Sequence, residues 1–253
     1  MRSQTGHDQI LSSRVSPLAA ATPLPHEGKS ALRSTSLEAE AYRGLRFALE
    51  PIVDPARLAA AGDGESEPAF LIAPETSRVI AVSSAEKGTG STTTAINFAA
   101  ALAEVPGANV LLVDADLRSA SLAHRLGITA VASRKLPEVL LGDFSIEETL
   151  RNLPRVGRVA VLPSAPVPDV AHWVVGLPRM GALLAEARRM FDAVILDTPP
   201  LVPLTDCRAL ARWVDGFVVV VGANHTRRDR LEKALSVVAP GKLMGLVLNG
   251  VDP

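Results

Sequence analysis

Residues 78–105 read RVIAVSSAEKGTGSTTTAINFAAALAEV, and the order of parts in that stretch decides the fold. An aliphatic, β-branched run over 78–83 predicts a strand buried on both faces. A turn of Gly, Ser and Thr follows, and a helical pattern then runs over 92–105. Strand, glycine-rich turn and helix in that order make a candidate phosphate cradle. Glycines let backbone amides curl around an anion, and the helix N-terminus adds donors and a favourable dipole. Such a turn is also an ordinary helix cap, so this stretch alone leaves both readings standing.

Working outward, the same rhythm continues. Further runs at 109–113, 158–163, 193–197, 216–221 and 244–248 are almost continuously apolar, as strands of a covered parallel sheet are. Helical patterns at 178–190, 204–213 and 226–238 fit between them as crossovers. The expectation is a doubly wound α/β domain with a mainly parallel sheet over residues 76–253. Upstream, residues 1–35 are rich in Ser, Pro and Thr and are expected to form a flexible tail. Residues 36–53 predict a helix, with Leu37, Ala41, Leu45 and Leu49 on one stripe, Ser36 as cap and Pro51 near its end. Residues 54–75 are expected to be a linker.

Composition narrows the function. The 253 residues include 47% hydrophobic side chains, enough for a sizeable core, and 26 basic against 27 acidic residues. That balance argues against a nucleic-acid partner, which calls for a basic stripe. Cys207 is the only cysteine, so no internal disulfide forms and a reducing cytoplasm is expected. No apolar run reaches the roughly 20 residues that a membrane-spanning helix needs.

Three strand ends carry candidate chemistry. After the first come Lys87, Gly88, Thr89, Gly90, Ser91, Thr92 and Thr93, expected to bind nucleotide phosphates, with the Thr92 hydroxyl placed for Mg²⁺. After the second comes Val113-Asp114-Ala115-Asp116-Leu117-Arg118, two carboxylates on alternate positions. After the third comes Asp197-Thr198-Pro199-Pro200, a carboxylate of the kind P-loop proteins use to hold the water shell of Mg²⁺. Each alone reads equally as capping or loop chemistry; their order and spacing make the set specific.

Together with EAYRGLRFAL at 40–49, VLLVDADLR at 110–118, FDAVILDTPPLVPLTDCRAL at 191–210 and GLVLNGVDP at 245–253, the sequence resembles the bacterial tyrosine kinases of capsule and exopolysaccharide synthesis, relatives of the ParA and MinD P-loop ATPases. The resemblance implies ATP and Mg²⁺ as cofactors, with Thr92, Asp116 and Asp197 organising the metal. It implies Asp114 as the base toward a tyrosine hydroxyl and Asn249 near the nucleotide base. It also implies a homo-oligomer joined through Glu40, Arg43 and Arg46, a cytoplasmic location, and membrane association through a polysaccharide co-polymerase partner.

Two departures shape the expected activity. The family pattern asks for Gly-Lys-Ser/Thr where this chain has Gly90-Ser91-Thr92, and Glu86 stands where ParA-like proteins carry a further lysine. A literal Gly-Lys-Ser at Gly28 to Ser30 has no strand before it and is a decoy. A lysine about 4 Å from a phosphate charge contributes on the order of 4 kcal/mol at a surface-like dielectric, so binding is expected to be weak and phosphoryl transfer slow. Lys87 and Arg118 are the candidates to substitute. The second departure is that Tyr42, inside the first helix, is the only tyrosine. Autophosphorylation of a tyrosine cluster after the Asn-Gly-Val-Asp-Pro segment is therefore not expected, and Tyr42 reads as a packing residue. His172 and Trp173 are assigned no function. The expected function is a degenerate or weakly active member regulating a membrane co-polymerase. The alternatives are an active ATP-dependent tyrosine kinase and a ParA- or MinD-like positioning ATPase.

Overall fold

The structure is a computed structural model that describes residues 37–53, 77–128, 135–153 and 158–250. The expected tail, the Ser36 cap, the 54–75 linker and the Gly28 to Ser30 decoy lie outside the described residues.

Seven strands form one sheet: β1 (Arg78–Ser84), β2 (Val110–Asp114), β3 (Arg151–Asn152), β4 (Val159–Leu162), β5 (Ala193–Asp197), β6 (Gly216–Gly222) and β7 (Leu243–Asn249). Their spatial order is β3-β4-β2-β5-β1-β6-β7. All neighbours run parallel except β3, which pairs antiparallel with β4. Successive side chains of a strand face opposite ways, and each face has its own core. Val79, Ala81, Leu111, Val113, Val194 and Leu196 join one cluster, while Ile80, Val82, Val110, Leu112 and Ile195 join the other. Each fully buried aliphatic side chain contributes about 1.5–3 kcal/mol, and this two-sided burial is why the strands read as unbroken apolar runs.

The second face is covered by α1 (Leu37–Val53) and α2 (Ser91–Ala103). Tyr42, Leu45 and Leu49 of α1 are buried there with Phe98, Ala99 and Leu102 of α2, so Tyr42 is a packing residue, as expected. Helix α1 runs two residues past Pro51, since a proline in the last turn forfeits a single backbone bond. The opposite face is covered by α4 (Leu136–Leu141), α6 (Ala171–Val175), α7 (Pro178–Met190), α8 (Asp206–Leu210) and α9 (Arg228–Val237). Two four-residue helices, α3 (Leu122–Arg125) and α5 (Ile146–Thr149), and a 3₁₀ turn at Pro240–Lys242 before β7 complete the described elements.

The expected strands match to within a residue or two at each end, and β3 is an addition too short to leave a pattern. The 204–213 helix is shorter than expected, only Asp206–Leu210. Helices α3 to α6 are no longer than six residues, and so short a helix shows no full apolar period. With β1, β2, β5, β6 and β7 parallel, Ser84, Asp114, Asp197, Gly222 and Asn249 all end on one edge of the sheet.

Candidate functional site

That edge is where an open α/β sheet binds ligands. The turn from β1 to α2 passes Gly88 at φ 89° and Gly90 at φ 90°, left-handed values that glycine reaches without strain. The turn is held by its own side chains: the Ser84 and Thr89 hydroxyls both donate to the Glu86 carbonyl, at 2.9 and 3.4 Å. From β7, Asn249 Nδ2 donates to the Thr89 carbonyl at 2.8 Å. A Cβ at Gly90 would stand 2.1 Å from that amide, so Asn249 and a bare Gly90 fit only each other. Gly90 then caps α2 with no side-chain hydrogen bond, and the first turn of α2 carries no acidic residue. The result is an uncapped helix N-terminus lined by Ser91, Thr92 and Thr93, which suits an anion.

Beside it lies an acidic pair. Asp114 and Asp197 face each other in register across neighbouring parallel strands, buried at 0% and 1% exposure. Asp114 Oδ2 accepts the Leu122 amide at 3.2 Å, which pins the start of α3. Its Oδ1 and both oxygens of Asp197 are buried with no hydrogen-bond partner. Burial pushes the Asp114 carboxyl up to about 7, opposed by the Leu122 amide and reinforced by the charge of Asp116. Burial, then the charge of Asp114, raises Asp197 well above the usual carboxylate range, with the Thr92 side chain close enough to oppose the rise. An orphaned buried carboxylate beside a threonine hydroxyl and free helix amides fits a hydrated Mg²⁺ carried by a nucleotide phosphate, because Mg²⁺ keeps water and takes few protein ligands. Among the described residues no group of three His, Cys, Asp or Glu side chains forms a complete metal cage.

The expected site residues thus come together, with differences of role. Asp116 is turned onto its own loop, accepting from the Arg118 amide at 3.1 Å, the Ser119 amide at 3.3 Å and the Ser119 hydroxyl at 2.5 Å. The strand register brings Asp114, two residues earlier, against Asp197. Asn249 has its amide on the Thr89 peptide and its Oδ1 buried without a partner. Arg118, a candidate substitute cation, is bonded elsewhere. Its Nε and Nη2 bind Oδ2 of the buried Asp206 at 3.1 and 3.0 Å, and its Nη1 binds the Pro168 carbonyl at 3.2 Å. Lys87 is exposed on the turn. Three participants escape sequence reading: Asp206, His225, whose ring stands beside Gly88 and Gly222, and Arg125, whose Nη1 lies 3.5 Å from Thr93 Oγ1. Asp206 lies inside the quoted 191–210 segment, the one signal available for it; the other two meet the turn only through the crossovers.

A sequence model of the AAA domain matches residues 77–238. The chain is 32% identical over 179 residues to tyrosine-protein kinase YwqD of Bacillus subtilis, covering 68% of this chain and 71% of that protein. It is 29% identical over 177 residues to tyrosine-protein kinase CpsD of Streptococcus agalactiae, covering 69% and 76%. It is 34% identical over 188 residues to the succinoglycan biosynthesis transport protein ExoP of Rhizobium meliloti, covering 72% of this chain and 23% of that protein. Among solved structures, the chimerical protein CapA2B2 superposes with a TM-score of 0.76 at 21% identity, covering 98% of both chains. A cobyrinic acid a,c-diamide synthase of Mycobacterium smegmatis, with bound ATP analog and magnesium, superposes with a TM-score of 0.53 at 28% identity, covering 68% and 72%.

Proposed function

The chain belongs to the bacterial tyrosine kinase family, built on a P-loop AAA domain, and from that membership we propose that it serves capsule or exopolysaccharide biosynthesis as a weakly nucleotide-binding, regulatory member with little kinase activity. The observation that carries this reading is the site's imbalance. The buried, unpartnered Asp197, the Thr92 hydroxyl and the uncapped α2 amides are kept, while Ser91 stands where the family pattern has its lysine.

Magnesium–ATP, when bound, would supply the transferable phosphoryl group. The chain's part is to hold it: the α2 amides and Gly88–Gly90 turn would cradle the phosphates, and Thr92 and Asp197 would hold the metal's water shell. Without a lysine, the charge that gathers on the transferred group is poorly neutralised, which is the main lever in phosphoryl transfer. Binding therefore survives better than catalysis. The likeness to 23% of the longer ExoP supports a domain that works alongside a membrane polysaccharide co-polymerase on the cytoplasmic side. Among the described residues no helix is long and apolar enough to cross a membrane. Self-association through α1 belongs to the same proposal.

An active tyrosine kinase is the second reading, favoured by Asp114. Its buried Oδ1 has no hydrogen-bond partner, and burial brings the carboxyl to about 7, the range in which a base works at neutral pH.

Calorimetry with Mg-ATP on the native chain and on Ser91→Lys, paired with a phosphotyrosine assay on a tyrosine polymer, tests both. Weak binding by the native chain, affinity at least about tenfold higher in Ser91→Lys, and phosphotransfer only in the variant is the expected pattern. Rapid phosphotransfer by the native chain would establish the second reading. Silence from both proteins would remove nucleotide binding altogether.

A further inference from the structure

A P-loop without its lysine needs positive charge from elsewhere if it is to hold a triphosphate, and the fold restricts the sources. Arg118 is tied to Asp206 and Pro168. Lys87 is exposed, with no described ion pair. His225 stands beside Gly88 and Gly222, its Nε2 4.0 Å from the point where a Gly88 Cβ would lie, and no hydrogen bond joins its side chain to the first turn of α2 among the described residues. Arg125 is placed differently. It ends α3, is exposed, and has no ion-pair partner among the described residues. Its Nη1 sits 3.5 Å from Thr93 Oγ1, in the first turn of α2, and it is close enough to Asp197 for its charge to act on that carboxylate. The position of α3 is itself set by the site, since Leu122 is buried and its amide is bonded to Asp114.

We propose that Arg125 is the phosphate-binding cation of this P-loop, supplying from the end of α3 the charge that position 91 lacks. The inference rests on the nucleotide-binding reading above and deepens it. The ligand it fits is the phosphate chain of a nucleoside triphosphate at the α2 N-terminus, where Asp197 already presents an unpartnered buried carboxylate for the accompanying metal. A guanidinium presents a planar fork of donors that matches phosphate oxygens two at a time and stays charged at any working pH. Ser91, with its short side chain, leaves the approach to the turn free of a lysine stem.

The test is fluorescence anisotropy of a mant-labelled ATP with Mg²⁺, using the native chain, Arg125→Ala, Arg125→Lys, Ser91→Lys and the Ser91→Lys/Arg125→Ala double variant. Lys87→Ala and His225→Ala report on the other cations, and thermal melts report on folding. Arg125→Ala is expected to weaken binding by about tenfold or more, with Arg125→Lys between it and native and melting unchanged. The double variant is expected to bind nearly as well as Ser91→Lys alone, because a lysine in the loop makes the arginine redundant. Native affinity in Arg125→Ala overturns the proposal, as does a loss that follows Lys87→Ala or His225→Ala instead. A native chain that is silent while Ser91→Lys binds also overturns it, yet leaves the disarmed-pocket reading in place. Silence from both proteins overturns the two together.

Discussion

At the residue scale, the site stores its cost in two buried carboxyls and one bare glycine. A carboxyl raised to about 7 in the fold and near 4 in the unfolded chain releases its proton first from the unfolded state as pH rises. Stability contributed by Asp114 is therefore fully present below pH ~4 and is lost progressively up to pH ~7, by as much as ~4 kcal/mol, and Asp197 acts in the same direction. Thermal melts without Mg²⁺ should show a native chain less stable at pH 8 than at pH 5.5, and an Asp114→Asn variant with a smaller loss and the higher melting point at pH 8. An equal slope in both proteins would deny the burial cost. Gly90→Ala should lower stability by about 2 kcal/mol in urea titrations, since it forces a left-handed φ on alanine and drives its Cβ into Asn249. Asn249→Ala in the same chain should return the steric part only. The acidic strand ends and the Gly-Ser-Thr turn were legible because strand order puts them at one edge. Arg125 and Asp206 were not, because they meet Thr93 and Arg118 across gaps of 32 and 88 residues that only the crossovers close.

Elements divide by how they are buried. Strands covered on both faces write themselves as apolar runs, and α2 and α7 are long enough, at 13 residues each, to show a helical stripe. The two-residue β3 and the short helices α3 to α6 take their form from packing, which leaves no period to read. The seam between α1 and α2 separates apolar from charged contributions cleanly. Leu45, buried between the two helices, should cost about 2–4 kcal/mol on substitution to alanine. Arg43 bonds to Glu104 at 2.7 Å and to Glu40 at 2.7 Å on an exposed surface, and Arg43→Ala should cost within about 1 kcal/mol. Chemical denaturation of the two variants checks the ranking. A larger loss from Arg43→Ala would mean that the ion pairs, rather than the leucine, hold α1 to the domain.

For the whole molecule, the resemblance implies an oligomer through Glu40, Arg43 and Arg46, and the structure shows how those side chains stand in one chain. Arg43 is turned inward onto Glu104 and Glu40. Arg46 reaches the Ala101 carbonyl at 3.4 Å and stacks its guanidinium 4.4 Å over the Phe47 ring. Phe47 is itself 59% exposed, and a large aromatic left open under an arginine is an uneconomical arrangement for an isolated chain, since both are favoured anchors at protein interfaces. If α1 joins neighbouring copies, that stacked pair, with Phe47 exposed, is the group left to do it, while the ion pairs of Arg43 with Glu40 and Glu104 stabilise the helix within one chain. Light scattering of the native chain at about 50 µM, a range in which weak homo-oligomers with micromolar Kd assemble, should then give a mass above that of the monomer. Phe47→Ala should return it to the monomer with little change in melting temperature, because Phe47 is exposed, and Arg46→Glu should do the same with a small loss of stability from its bond to the Ala101 carbonyl of α2. A native chain that stays monomeric with and without Mg-ATP would leave α1 as a helix packed on its own domain, with its charges spent inside one chain.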